Sequence, residues 1–345
     1  MTTQVTTLPE LGNTVVILGT IKKKELELVQ MDFFNKEKGV TEKEWTIRGS
    51  VTVEVDEKEK GRKHNHRIEV FNKKADNKVY KGLETVLNEH KVGDFVRVTA
   101  KVDANDYVDK ENNMVEGNRL QGVFFSRIDK VEDQIPSAEA KIKLVVENYL
   151  PINDAKTGQV KEYKVKAFTV GYNGKIVPLH NLIISPELGQ AINGFYPVGM
   201  NSMGELSFDV NNYLEVTQEE SAPKQMAFGR EAKSVTTGGK FINNLEVIGG
   251  LPPERQFNAQ EMQFVQQQRN LQLEEVKQKH AKKQAQAGQK QQSAPAGIQG
   301  GIQGGFGAPP AQPQNQGMAF GNAGSISGTN PFESQTLPST NELPF

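Results

Sequence analysis

Over the first 250 residues apolar and polar positions alternate in short runs, separated by stretches rich in Gly, Asn, Asp and Lys. NTVVILGTI (Asn13–Ile21), VTVEV (Val51–Val55) and HRIEVF (His66–Phe71) place apolar side chains two apart, the period of a half-buried strand. YKGLETVLNEH (Tyr80–His90) changes to helical spacing. GDFVRVTAKVD (93–103) and NRLQGVFFSRI (Asn118–Ile128) then return to period two. The order is three strands, a helix and two strands.

The second half repeats this order. KIKLVVENYL, EYKVKAFTV and KIVPLHNLII read as strands, and SPELGQAI as a helix with Ser185 at the N-cap, Pro186 in the first helical position and Glu187 in the first turn. GELSFDVNNYLEV and KFINNLEVIG close the copy. Around the fourth strand the copies correspond at one offset of 106 residues: Val92-Gly93 with Val198-Gly199, Asp103 with Asp209, Asn105 with Asn211, Tyr107 with Tyr213. A five-stranded Greek-key barrel with a helix between its third and fourth strands is the oligonucleotide/oligosaccharide-binding (OB) fold. The expected architecture is therefore mainly β, with two tandem OB-fold barrels at 11–132 and 138–250 after an N-terminal arm of residues 1–10. A pair of unrelated β sandwiches is the alternative.

Beyond the second copy, residues 254–286 read as a helix, with Asn258 and Glu261 in capping-box spacing. Its apolar positions fall on two opposed faces, Met262, Val265, Leu273 and Val276 on one and Phe257, Phe264 and Leu271 on the other, which is not a coiled-coil seam. From 287 to 345 Gly, Gln, Pro, Ala, Ser and Asn dominate. No Lys or Arg follows Lys290, and Glu333 and Glu342 are the only acidic side chains. Such a segment has too little apolar surface to offset its chain entropy, so disorder is expected. It ends in TNELPF, Thr340–Phe345.

Composition removes several classes. With 41 Lys+Arg against 42 Asp+Glu, net charge favours no partner, and without cysteine there are no disulfides, thiolate metal sites or thiol nucleophiles. No apolar run approaches a membrane span and the N-terminus lacks a leader pattern, so a soluble, unsecreted protein is expected. The Gly-Lys pairs at Gly174-Lys175 and Gly239-Lys240 lack the remainder of a phosphate loop. His64 and His66 have no third ligand nearby in sequence, and Asp103, Asp106 and Asp109 fit a solvated turn. No enzymatic activity, metal or cofactor is expected.

Asn13, Val15, Ile17, Gly19, Ile21, Glu25 and Leu26 resemble the opening of the bacterial single-stranded DNA-binding protein family, with Thr20 where that family often has Arg and no Pro before Glu-Leu. The Gly/Gln/Pro-rich end with its Pro-Phe tip is similar to that family's tail. The duplicated body looks like a bacteriophage version. The resemblance implies sequence-independent binding and protection of single-stranded DNA in replication, recombination and repair, in the cytoplasm of a bacterium or a phage-infected host, by a monomer or small homo-oligomer. It also implies recruitment of replication and repair proteins through Glu342, Leu343, Pro344 and Phe345. This tip has one acid where the family usually has several.

Binding a strand without reading its sequence needs cations for phosphates and flat side chains for bases. In the first copy these are Lys22, Lys24, Trp45, Arg48, Arg62, Lys63, Arg67, Phe71, Lys73, Lys74, Tyr80 and Tyr107. In the second they are Tyr163, Lys164, Lys166, Tyr172 and Tyr213. Core packing competes for Phe71, Phe95, Phe124, Phe168 and Phe208, and a solvated hairpin tip competes for Lys58–Lys63. Two other functions fit the pattern: a phage structural or adhesion protein whose barrels bind proteins or sugars, and an RNA-binding or strand-annealing protein.

Overall fold

Ten long strands carry the described part of the chain: β1 (Asn13–Asn35), β2 (Val40–Glu57), β3 (Arg62–Lys73), β4 (Phe95–Ala104), β7 (Asn118–Arg127), β8 (Ser137–Asn153), β9 (Val160–Val170), β10 (Ile176–Ile184), β11 (Ser202–Glu220) and β12 (Val235–Gly250). Short strands β5 (Tyr107–Val108), β6 (Met114–Val115) and β13 (Arg255–Gln256) and helices α1 (Lys78–Glu89), α2 (Pro186–Phe195) and α3 (Ala259–Gln292) complete it. The computed structural model describes residues 7–35, 38–74, 78–129, 131–132, 134–220 and 235–292. Residues up to Gln278 make one unit, and the described part of a second is the continuation of α3 from Lys279.

Strand pairing closes two rings of the same order. β1 pairs with β2 and β2 with β3, antiparallel. β3 then pairs in parallel with β7 at Ile68↔Leu120 and Glu69↔Gln121, β7 pairs with β4, and β4 returns to β1. In the second ring β8, β9 and β10 run antiparallel, β10 pairs in parallel with β12 at Leu182↔Leu245 and Ile183↔Glu246, and β12–β11–β8 closes the circle. One parallel contact between third and fifth strands, with a helix after the third, is the strand order of an OB barrel. Both matched glycines, Gly93 (φ 98) and Gly199 (φ 79), occupy the left-handed region before the fourth strand, where a Cβ is disfavoured.

Alternate residues fill the rings: Val15, Ile17 and Ile21 of β1, Val51, Val53 and Val55 of β2, and Val96, Val98 and Val102 of β4. Ile142, Leu144 and Val146 of β8 and Leu206, Phe208 and Val210 of β11 continue the same cluster in the second ring. Burying each such side chain stabilises the fold by about 1.5–3 kcal/mol. Phe95, Phe168 and Phe208 are core residues, whereas Phe71 and Phe124 are exposed. Leu8 and Leu11 join Phe168, Phe257 and Val265 in a second cluster, so the end of the N-terminal arm and the start of α3 pack on the second barrel.

The barrels are joined by a β1–β8 antiparallel ladder from Asn13↔Ile142 to Leu18↔Ser137. Buried Asn118 adds a bridge, donating to the Pro178 carbonyl (2.7 Å) and accepting from the His180 amide (2.6 Å). The capping box is formed as spaced: Glu261 N–H donates to Asn258 Oδ1 and Asn258 N–H to Glu261 Oε2, both at 2.9 Å. Ser185 occupies the α2 N-cap without a side-chain cap bond.

β1 and β2 outrun their barrel as a two-stranded arm whose last pair is Asn35↔Val40. A register shift between Ile21 and Lys23 exchanges the inward and outward sides of β1. Further along the ladder Gly49 lets β1 and β2 approach closely: its φ is +131 and an added Cβ would overlap the Glu25 carbonyl oxygen.

Candidate nucleic-acid interface

The outer surface of β1–β2–β3 gathers the first barrel's aromatic and cationic residues. Register aligns Glu27 with Arg48 and Arg48 with Phe71, placing them in one row. Phe71 is 48% exposed and meets Phe33 edge to face at 6.4 Å between centroids. The Lys73 ammonium sits 3.5 Å from the centre of the Phe33 ring. Arg67 lies on this outer face of β3, and its Nε is buried without a hydrogen-bond partner.

Acidic residues on neighbouring strands hold most of the cations. Lys22 is 2.6 Å from Glu54, Lys63 3.6 Å from Asp56 and Lys73 3.9 Å from Glu44, while Arg48 pairs with Glu27. Exposed pairs of this kind contribute only about 0–1 kcal/mol, so a phosphate can take the carboxylate's place at small cost.

Other residues singled out in the sequence lie elsewhere. Tyr80 is 3% exposed and packs with Ile47, Val70 and Leu83 under α1, where no base reaches its ring. Lys24 donates to the carbonyls of Val86, Leu87 and His90, capping the C-terminal end of α1. Trp45, 41% exposed, is three residues from Arg48 on one strand and so faces the opposite side of the arm. Lys74 is exposed beside it, its amide bonded to the Trp45 carbonyl. Tyr107 is half-buried in the β5–β6 hairpin. Tyr163 packs against Gly189 of α2, and Tyr172 projects from the turn before β10 at 74% exposure. Glu342, Leu343, Pro344 and Phe345 lie outside the described residues.

Arg62 and Tyr213 meet where the barrels touch. β3 and β11 pair at Tyr213↔His64, and the Arg62 guanidinium stands 4.8 Å from the Tyr213 ring centre. His64 accepts from the Asn212 amide at 3.3 Å and its other nitrogen is 3.3 Å from Glu57. Burial lowers the His64 pKa against the opposing pull of Glu57. His66, stacked on His64 at 5.8 Å, is fully buried, and that burial together with the neighbouring imidazole lowers its pKa to about 3.

On the second barrel a groove of about 460 Å³ crosses the outer faces of β9, β10, β12 and β11. Lys161, Lys164 and Lys240 line it together with Ile152, Ile183 and Tyr213. Its polar part is a bonded set, in which Asn211 Nδ2 donates to Asn244 Oδ1 at 3.0 Å and to Glu246 Oε2 at 3.1 Å. Lys166 is exposed on the same strand as Lys164 and lies 3.5 Å from Glu147. Sequence reasoning missed Phe33, Lys161 and Lys240. Phe33 lies in the run QMDFFN, whose pattern marks no buried face, and only the strand pairing reveals it.

Among the described residues no group of three or more His, Asp or Glu side chains is placed to hold a metal ion, and no helix is long and apolar enough to cross a membrane.

These features define a mainly β protein of tandem OB-type strand order, with a C-terminal helix and an aromatic-cationic outer face on the first barrel. The model of the YorF family matches residues 12–279, most of the chain, and the chain belongs to that family. No curated protein sequence matches it. Among solved structures, the wild-type single-stranded DNA binding protein from Thermus aquaticus aligns over 72% of this chain and 95% of its own, at 10% identity and a TM-score of 0.42. A deletion mutant of that Thermus aquaticus protein aligns over 72% and 98%, at 10% identity and 0.40.

Proposed function

We propose that this protein binds single-stranded DNA without enzymatic chemistry, holding it unpaired and protected during replication, recombination and repair. The observation that carries the reading is the cluster of Phe33, Phe71, Lys73 and Arg48 on the outer face of β1–β3. Strands two and three of an OB barrel are where such folds take oligonucleotides, and a ring beside a cation offers a stacking surface next to a phosphate site. Arg67, Lys22 and Lys63 extend the cationic track along the same strands.

Phe33→Ala and Phe71→Ala are each expected to weaken binding of labelled oligo-dT by about tenfold, the size of one lost stacking contact. Fluorescence anisotropy at two salt concentrations reads this, and affinity should fall with salt at a slope of about −0.7 per phosphate contacted. Unchanged affinity in both variants would remove the cluster from the interface. Preference for duplex would remove the function, and tighter binding of oligo-rU than oligo-dT would favour the RNA reading.

The reading includes the chain end. Leu343, Pro344 and Phe345, with Glu342, form an apolar, carboxylate-bearing tip suited to a pocket rimmed by basic residues on replication and repair proteins. Removing the last six residues should leave oligo-dT binding intact and abolish co-purification of such proteins. Co-purification that survives the truncation would place recruitment elsewhere.

A further inference from the structure

We propose that the groove on the second barrel discriminates among bases, favouring those with an exocyclic amino group and, between the pyrimidines, cytosine over thymine. The proposal rests on the single-strand reading and assigns the two barrels different tasks.

The first barrel presents rings and cations, which accept any base because every base has a flat face. The groove on the second is built differently. Its floor carries a carboxylate and two amides locked together: both protons of the Asn211 amide are engaged, one with Asn244 Oδ1 and one with Glu246 Oε2. An ionised carboxylate accepts about four hydrogen bonds, so Glu246 retains acceptor capacity beyond the one Asn211 uses. Strand pairing to Ile183 of β10 and to Asp209 of β11 fixes the Glu246 backbone, and the Asn211 bond holds its carboxylate.

Lysines 161, 164 and 240 line the same groove and can hold the backbone of a strand while a base edge enters. Cytosine then presents its N4 amino group, a donor that a Glu side chain accepts. Thymine presents a carbonyl at the equivalent position, oxygen against oxygen, and its single N3–H lies between two such carbonyls. The groove thus offers a bond to one pyrimidine and repulsion to the other.

The test is direct competition between oligo-dC and oligo-dT of equal length at pH 8, followed by oligo-5-methyl-dC. That last base has the thymine methyl group but keeps the amino group. Oligo-dC and oligo-5-methyl-dC should both bind about fivefold or more tighter than oligo-dT, the discrimination one well-formed base contact supplies. Glu246→Gln should abolish the preference, lowering oligo-dC affinity and raising that of oligo-dT, because Asn211 Nδ2 keeps the Gln carbonyl oxygen and turns an amide donor toward the base. Equal affinity of the unaltered protein for oligo-dC and oligo-dT overturns the proposal and leaves single-strand binding standing. So does a cytosine preference that the methylated oligomer lacks, or one that persists in a folded Glu246→Gln protein. Binding of neither oligomer would instead overturn the single-strand reading.

Discussion

Arg269→Ala is expected to destabilise the protein by roughly 3–5 kcal/mol, the cost of leaving buried charge without its partner. Arg269 projects from α3 into the segment between β4 and β7 of the first barrel. Both its terminal nitrogens bond Asp106, at 2.6 and 2.8 Å, and one also bonds Glu116. The side chains of Arg269 and Asp106 are only 12% and 7% exposed. Truncating the arginine strands Asp106 in a poorly hydrated site and frees α3 from the first barrel. Because a buried pair costs desolvation on both sides, the double replacement Arg269→Met with Asp106→Leu should recover most of the loss. Urea denaturation of the two variants beside the unaltered protein measures both effects. A loss below about 1 kcal/mol for Arg269→Ala would show a solvated pair of surface strength.

The second large expectation concerns acid. His66 is fully buried, and neither ring nitrogen has a hydrogen-bond partner. Its folded pKa of about 3 lies below the usual histidine value of 6.5 because desolvation opposes the charged form, with the adjacent His64 adding repulsion. Between these values the unfolded chain binds a proton that the folded chain does not. Stability is therefore complete above pH 6.5 and is lost as pH falls toward 3, at about 1.4 kcal/mol per pH unit from this residue. His64 and His180, also lowered chiefly by burial, act in the same direction. Denaturation at pH 7.5, 5.5 and 4.5 should show a steep acid slope, and His66→Leu should flatten it by about 1.4 kcal/mol per unit. The same slope in both proteins would mean that His66 is reached by water and protonates freely.

The fold was legible wherever one face of a strand is buried. Period two from Val51 to Val55 and from His66 to Phe71 marks β2 and β3, because side chains on those strands divide cleanly between barrel interior and surface. The arm was not legible. Beyond Leu26 both sides of β1 leave the barrel, so KKKELELVQMDFFN carries no burial signal, and β1 runs on to Asn35 although alternation ends near Ile21.

Of the residues singled out as a candidate interface, the sequence showed which types were present but not which ones share a face. Arg48, Phe71 and Lys73 do come together, but Trp45 is turned away from them by strand alternation, which its distance from Arg48 already implied. Tyr80 also had a readable signal: with Leu83 and Leu87 it makes a helical stripe, and the structure packs it against the barrel. Lys24 had none, since the carbonyls it caps lie 62 to 66 residues away. Contacts across the two barrels, such as Arg62 with Tyr213, depend on a pairing that local pattern does not encode.

The β1–β8 ladder imposes a condition of its own. Corresponding first strands paired antiparallel relate the two barrels as a two-fold axis would, the same strand of each meeting its counterpart in the opposite direction. A nucleic-acid strand has a direction and possesses no such axis. A strand crossing both barrels would meet the first in one sense and the second in the other, so identical faces could not both fit it. On the single-strand reading, divergence between the copies would resolve this mismatch, with paired rings and cations on one face and an amide–carboxylate set among lysines on the other. The asymmetry between the copies would then give the complex a 5′ end and a 3′ end.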